Sequence, residues 1–225
     1  MVFTARELAN LMPDTSKLES HEQGMESSLH YLQLALLVAC LEWHWRDRND
    51  FFIGPNLTFY YTPKQLLDRN FHSPDFFLIK NTEKHPRYSW VAWAEDGRYP
   101  DLIIELLSPS TARVDRSEKK ILYQNLLRIP EYFWFNPEDL EFNGFCLRGR
   151  EYQAIIANEF GRLWSKVLEL YLGIHDGKLR YFTPDGQLVP TPEEAALQAQ
   201  QQAAQAQERA DRLANQLRAL GIEPE

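Results

Sequence analysis

Pro100-Asp101-Leu102-Ile103-Ile104-Glu105-Leu106-Leu107-Ser108-Pro109-Ser110 reads as a strand set between two proline breaks, with a single carboxylate in the middle of an otherwise apolar run. Unbroken apolar character over residues 102–107 is the pattern of a strand covered on both faces. Glu105 then has three options: to be protonated, to pair with a base, or to bind a metal, because an ionised carboxylate is costly to remove from water uncompensated. The alternative is an edge strand that turns Glu105 to solvent; the apolar neighbours on both sides weigh against it.

A second such strand, residues 75–79, starts at Ser73-Pro74-Asp75. If the two strands pair antiparallel with Ile79 or Lys80 opposite Asp101, Asp75 falls opposite or beside Glu105, about 5 Å away. Two like charges at that range raise one pKa unless a divalent cation lies between them. Alone, Ser73-Pro74-Asp75 would read as a turn; the register is what makes Asp75 a candidate metal ligand with Glu105. Asp101 lies four residues from Glu105, about 13 Å by strand rise, and is a strand-start residue. The insert between the strands carries Tyr88-Ser89-Trp90-Val91-Ala92-Trp93, a possible further strand, and the turn Glu95-Asp96-Gly97.

Downstream, after Ser108-Pro109-Ser110-Thr111, a helix is expected to about Leu127, with Ile121, Leu122 and Leu126 on its apolar side. It places Asp115, Lys119 and Tyr123 on one face at i, i+4 and i+8. A strand over 131–135 follows, so strand, helix and strand form a crossover unit. The helix would return near Glu105, where Lys119 could orient a water and offset charge on a phosphorane. Lys119 paired with Asp115 in a surface charge run is the competing reading. Arg113, Arg116, Lys120 and Arg128 are the local basic cluster for a phosphate backbone.

Elsewhere the pattern is plainer. Residues 25–45 form a first helix with Leu29, Leu32, Leu36, Leu37, Cys40 and Leu41 at helical spacing, and residues 51–61 a bent strand or short hairpin. Residues 142–147, 152–156 and 163–172 read as peripheral β structure, with a hairpin about Pro184-Asp185-Gly186. From Thr191-Pro192-Glu193-Glu194, a capping box, a helical tail runs to Gly221. Ala196, Ala199, Ala203, Ala206, Ala210, Leu213, Leu217 and Leu220 form a coiled-coil-like seam that suits a homo-oligomer, a dimer. Alanine buries little area, so the pairing is weak, and a solvated single helix is the alternative. The expected domains are 1–190 and 191–225.

The 225 residues are 44% hydrophobic, enough for one catalytic domain with an appendage. No run is apolar enough for a membrane span and no signal segment opens the chain, so a cytoplasmic protein is expected. Cys40 and Cys146 have no metal-ligand or disulfide spacing and read as buried thiols; six histidines include no i, i+4 pair, which removes zinc. No glycine-rich phosphate loop and no serine nucleophile with a spaced base occur. A net charge of −8, of which the tail holds −3, argues against a protein that coats nucleic acid and confines DNA contact to a local patch.

Ser73-Pro74-Asp75, the 100–110 stretch, Asp115-Arg116 with Lys119 and Tyr123, and Pro130-Glu131-Tyr132-Phe133-Trp134 together resemble the Uma-type restriction endonucleases. The resemblance runs from about residue 26 to 137, more loosely to 190, and extends to the tail. It implies a PD-(D/E)XK core, an α/β restriction-endonuclease-like mixed sheet flanked by helices, hydrolysing DNA with Mg²⁺ (or Mn²⁺). The family's acids fall on Asp75 and Glu105. Leu107 stands where the superfamily places its strand lysine, and the Uma-type pattern puts the lysine on the next helix, at Lys119. A helix-one acid is also implied, and Glu26 is preferred to Glu22. Two functions follow as expectations: a metal-dependent endonuclease, or an inactive nuclease-fold module that assembles through its tail.

Overall fold

The computed structural model describes Leu18, Ser20 and residues 27–68, 71–109 and 111–219. Its centre is a six-stranded sheet in the order β1-β3-β5-β6-β7-β8, built from Phe51–Pro55, Phe76–Lys80, Leu102–Leu106, Glu131–Phe135, Phe142–Arg148 and Glu151–Ala154. β5 and β6 run parallel and the other neighbours antiparallel. A parallel pair needs a crossover, and after the short helix α2 (Lys64–Asp68) the chain supplies a helical one, α3 (residues 112–127), between them. A second sheet, β9 (Leu163–Ser165), β10 (Leu170–His175) and β11 (Lys178–Phe182), has the order β11-β10-β9, and β2 (Phe59–Tyr60) pairs in parallel with β4 (Trp90–Val91).

Alternation along the strands sorts the core into two layers. Phe51, Ile53, Phe76, Leu78, Leu102, Ile104, Leu106, Phe133 and Phe135 pack with helix α1 (Ser28–His44) and with Leu170, Leu172 and Leu179 of the three-stranded sheet. Phe52, Phe77, Ile79, Ile103, Tyr132 and Trp134 pack with Tyr123 and Leu127 of α3 and with Phe59 and Trp90. Glu105 falls in phase with Ile103 and Leu107, on the face covered by α3. Close approach across the sheet fixes two glycines: a Cβ on Gly54 or Gly144 would lie 2.1 or 2.4 Å from the ring of Phe77 or Phe133, its cross-strand partner.

Several expectations change. Residues 51–61 make no hairpin: β1 is the edge of the main sheet, whereas β2 pairs with β4. Segments 142–148 and 151–154 join the main sheet and extend it to six strands, with 151–154 as its exposed edge. Helix α1 buries His30, Gln33, Leu34, Leu37, Cys40 and Leu41, leaving Leu29 and Leu32 51% and 59% exposed. That helix is apolar nearly all round, so spacing alone cannot select its buried face. Gln33 marks it, donating to Leu179 O and accepting the Leu179 N–H, both at 3.0 Å. Cys40 is buried, but Cys146 is only partly so.

The chain divides into two compact units, one ending at Val189 and the other beginning at Pro190. The second is α4, Pro192–Ala219, closed at its start by reciprocal bonds: the Glu194 N–H donates to Thr191 Oγ1 at 3.1 Å, and the Thr191 N–H to Glu194 Oε2 at 2.8 Å. Leu213 of its seam is exposed. Leu220 and Gly221 lie outside the described residues. Among the described residues no helix is long and apolar enough to cross a membrane.

Candidate active site

The β3/β5 register pairs Phe76 with Ile104 and Leu78 with Leu102, which carries Asp75 opposite Glu105. Two bonds seal that end of the pair: the Asp75 N–H donates to Glu105 Oε2 at 3.3 Å, and the Leu106 N–H to Asp75 Oδ2 at 2.7 Å. Asp101 sits at the other end, where its Oδ2 accepts the Lys80 N–H at 2.7 Å. It is a strand-start residue, as expected, and takes no part in the cluster.

The third element is α3. Its run alternates α-helical Ala112–Val114 and Lys120–Leu122 with π-helical Asp115–Lys119 and Tyr123–Leu127. In an α-helix four residues overshoot one turn by about 40°, so positions 115, 119, 123 and 127 would drift off one face. The wider π turns cancel the drift. Asp115, Tyr123 and Leu127 are all buried, while Ile121 and Leu126, expected on the apolar side, are 58% and 60% exposed. The expectation failed there because it assumed a uniform helical pitch.

The result is a cluster of three carboxylates about one ammonium. Lys119 Nζ lies 3.1 Å from Glu105 Oε2 and 2.8 Å from Asp115 Oδ1. Tyr123 Oη donates to Glu105 Oε1 at 2.6 Å, and its ring meets Tyr132 edge-on at 5.2 Å. Tyr132 Oη in turn donates to Asp115 O at 2.9 Å, tying α3 to β6.

The groups titrate apart. Complete burial pushes Glu105 well above the usual carboxylate range, with Asp115 and Asp75 adding to the rise, against the opposing pull of Lys119 and the Tyr123 hydroxyl. Burial likewise raises Asp115, against Lys119. For Asp75 burial pushes upward too, but His30, Lys119 and the Leu106 N–H outweigh it, and its pKa is lowered. Burial disfavours the Lys119 ammonium, yet Glu105, Asp115 and Asp75 together raise its pKa. Three acids around one lysine leave an excess of negative charge in a dry place, which a proton or a divalent cation would relieve.

One residue here escaped the sequence reading. His30, near the start of α1, meets Asp75 Oδ1 through Nε2 at 2.8 Å. Its only signal was a histidine on an apolar helix three residues after a serine cap. Tyr123 was placed on the inward face, but its bond to Glu105 was not foreseen. An open pocket next to His30 is lined by Ser27, Leu29, Leu107, Ser108, Pro109, Pro137 and Glu138. Glu26, the expected helix-one acid, and Glu22 lie outside the described residues.

The basic cluster is largely engaged within the protein. Arg116 pairs with Glu141, and Lys120 Nζ stands 3.5 Å over the Phe145 ring, its pKa lowered by burial. Arg113 is exposed. Among the described residues no three His, Cys, Asp or Glu side chains are arranged to hold a metal ion. The donor chemistry of Asp75 and Glu105 nevertheless fits Mg²⁺ or Mn²⁺: hard carboxylate oxygens on adjacent strands, in an acid-rich cluster, suit an ion that keeps several waters and takes one or two carboxylates.

Comparison with known proteins agrees with this architecture. The crystal structure of a putative nuclease belonging to DUF820 from Anabaena variabilis shares the fold, with a TM-score of 0.50 at 14% identity over 78% of this chain and 97% of the other. No curated protein matches. The Uma2 family model, described as "Putative restriction endonuclease", matches residues 19–180. That span contains every strand of the main sheet and all four residues of the carboxylate–lysine cluster; it supports nuclease function in general terms, and the chain belongs to the Uma2 family.

Proposed function

We propose that the chain is a Mg²⁺- or Mn²⁺-dependent endonuclease that hydrolyses phosphodiester bonds of DNA. The observation that carries this reading is the Lys119 ammonium held between Glu105 and Asp115, beside the cross-strand carboxylate of Asp75. Asp75 and Glu105 would hold the ion, which when bound supplies Lewis-acid stabilisation of phosphoryl charge and a more acidic water. Lys119, kept cationic by its acidic neighbours, orients the attacking water and offsets charge developing at phosphorus. Asp115 holds Lys119 at the i, i+4 position, and Tyr123 fixes the plane of the Glu105 carboxylate. Glu26, which lies outside the described residues, is assigned an assisting role.

Backbone phosphates are assigned to Arg113, Arg116 and Lys120. Arg113 is exposed for that purpose; Arg116 and Lys120 would exchange Glu141 and the Phe145 ring for phosphate. With a net charge of −8, binding through so small a patch should be weak and fall only moderately with salt, since the slope scales with the few phosphates contacted. Incubated with Mg²⁺ or Mn²⁺, the full chain is expected to cut supercoiled, linear duplex or single-stranded DNA. Failure on every form, or a Glu105→Ala variant that cuts as well as wild type, sinks the proposal.

A second reading, an inactive nuclease-fold module that assembles through α4, is favoured by the exposed Leu213 on the alanine-leucine stripe and by the internal pairing of the basic cluster. In either reading α4 pairs two copies of the chain. Sedimentation of the full chain against one ending at Pro190 tests this: equal masses per chain exclude the pairing.

A further inference from the structure

Three acids share one cluster, yet Asp75 is the one gripped from the first helix, through His30. What sets it apart is geometric. Glu105 and Asp115 share Lys119, whereas Asp75 is bound by the imidazole of His30. Its two oxygens are bound from opposite sides, Oδ2 by the Leu106 N–H of β5 at 2.7 Å and Oδ1 by His30 Nε2 of α1 at 2.8 Å. A carboxylate bound at both oxygens cannot swing about its χ2 bond. Its remaining lone pairs keep one direction, on the strand end it shares with Glu105.

His30 itself is firmly placed. It is 6% exposed, its backbone N–H is taken by the Ser27 cap, and Gln33, one turn on, clamps the same helix to β11. An ionised Asp75 can only accept, so Nε2 donates and the imidazole carries its proton toward Asp75. We infer that His30 is a positioning residue that orients Asp75 as an anionic ligand and thereby sets the affinity of the site for a divalent cation; this rests on the metal-dependent reading above. Hydrogen-bond partners of ligating groups fix their orientation and basicity, and their loss weakens metal binding by about 10- to 100-fold. Glu105 is served instead by Tyr123, Lys119 and the Asp75 N–H, so the effect of changing His30 should run chiefly through Asp75.

The test is calorimetric titration of the metal-free full chain with Mn²⁺ and with Ca²⁺, for wild type, His30→Leu and His30→Gln. Leucine fills the space without a donor; glutamine returns an N–H near the place of Nε2. His30→Leu is expected to bind either ion 10- to 100-fold more weakly, and to need a correspondingly higher Mn²⁺ concentration for half-maximal cleavage, with the rate at saturating Mn²⁺ largely restored. His30→Gln should recover most of the affinity. A purely structural role would lower the melting temperature of both variants without moving the half-saturating concentration. If wild type binds the ions and His30→Leu binds them equally well, or if glutamine is no better than leucine, the inference falls alone. If wild type binds neither ion, the metal-dependent reading falls and takes the inference with it.

Discussion

Two glutamates lie buried on the adjacent parallel strands β5 and β6, and they have opposite characters. Glu105 stands opposite Trp134 and Glu131 opposite Leu102, so they occupy opposite ends of the pair, about 10 Å apart along the strands. Burial raises the pKa of both. Glu131 is met by neutral donors, the Ser165 hydroxyl and the Lys166 N–H at 2.7 Å, and by these it fixes the turn between β9 and β10. Glu105 is met by a lysine, two more acids and a tyrosine. A raised pKa thus fails to distinguish a clamp from the proposed metal-binding centre; the charge of the neighbours does.

The contrast breaks most visibly in Glu105→Gln, expected to lower cleavage at least about 1000-fold, roughly 4 kcal/mol at the transition state, while the melting temperature stays level or rises. Relief of repulsion with Asp115 and Asp75 is the reason, and thermal melts of the metal-free protein check it. A variant that melted several degrees lower would make Glu105 a second clamp. Glu131→Ala should do the reverse: about 3 kcal/mol lost in denaturant unfolding, because the Ser165 hydroxyl and the Lys166 N–H are left buried without an acceptor, with cleavage per folded molecule unchanged.

A smaller effect sharpens the same comparison. Both glutamates have folded pKa values above their unfolded ones, so the stability tied to their protonation is complete below the ordinary glutamate range and lost as pH rises through each raised value. Asp75 has the opposite sign, its contribution present above its unfolded value and lost as pH falls through the lowered one. Unfolding free energies of the metal-free protein should therefore decline from acid toward neutral pH. Glu105→Gln should flatten the part of the decline that reaches furthest toward neutral, and Glu131→Gln only the lower part. Identical profiles for the two variants would erase the distinction.

The carboxylate pair could be read from the sequence because its determinants are local: two Pro-Asp strand starts, an apolar run with one acid in it, and a two-residue period that fixes register once one pair is known. Lys119 and Tyr123 followed from spacing. His30 did not, because its partner lies 45 residues away and no pattern connects an imidazole on one helix with a strand end. The burial pattern of α3 was misjudged because hydrogen bonding, not composition, decides where a helix widens into π turns. Sheet order is similarly silent: β7 and β8 carry the same alternation at an edge or inside a larger sheet. Glu131 passed unnoticed at the head of an aromatic strand, since its acceptors' partners come from residues 165 and 166.

The bonds that define the cluster close long stretches of chain: His30 to Asp75 spans 45 residues, Asp75 to Leu106 31, and Glu105 to Tyr123 18. Contacts so far apart in sequence form slowly, since the intervening loops must be ordered first. A nascent chain that has emerged only as far as β5 holds Asp75 and Glu105 but lacks the lysine and tyrosine that order them. On the proposed reading, competence to act on a phosphodiester arrives only once the crossover helix, residues 112–127, has docked over β5, while β7 and β8 have still to join the sheet.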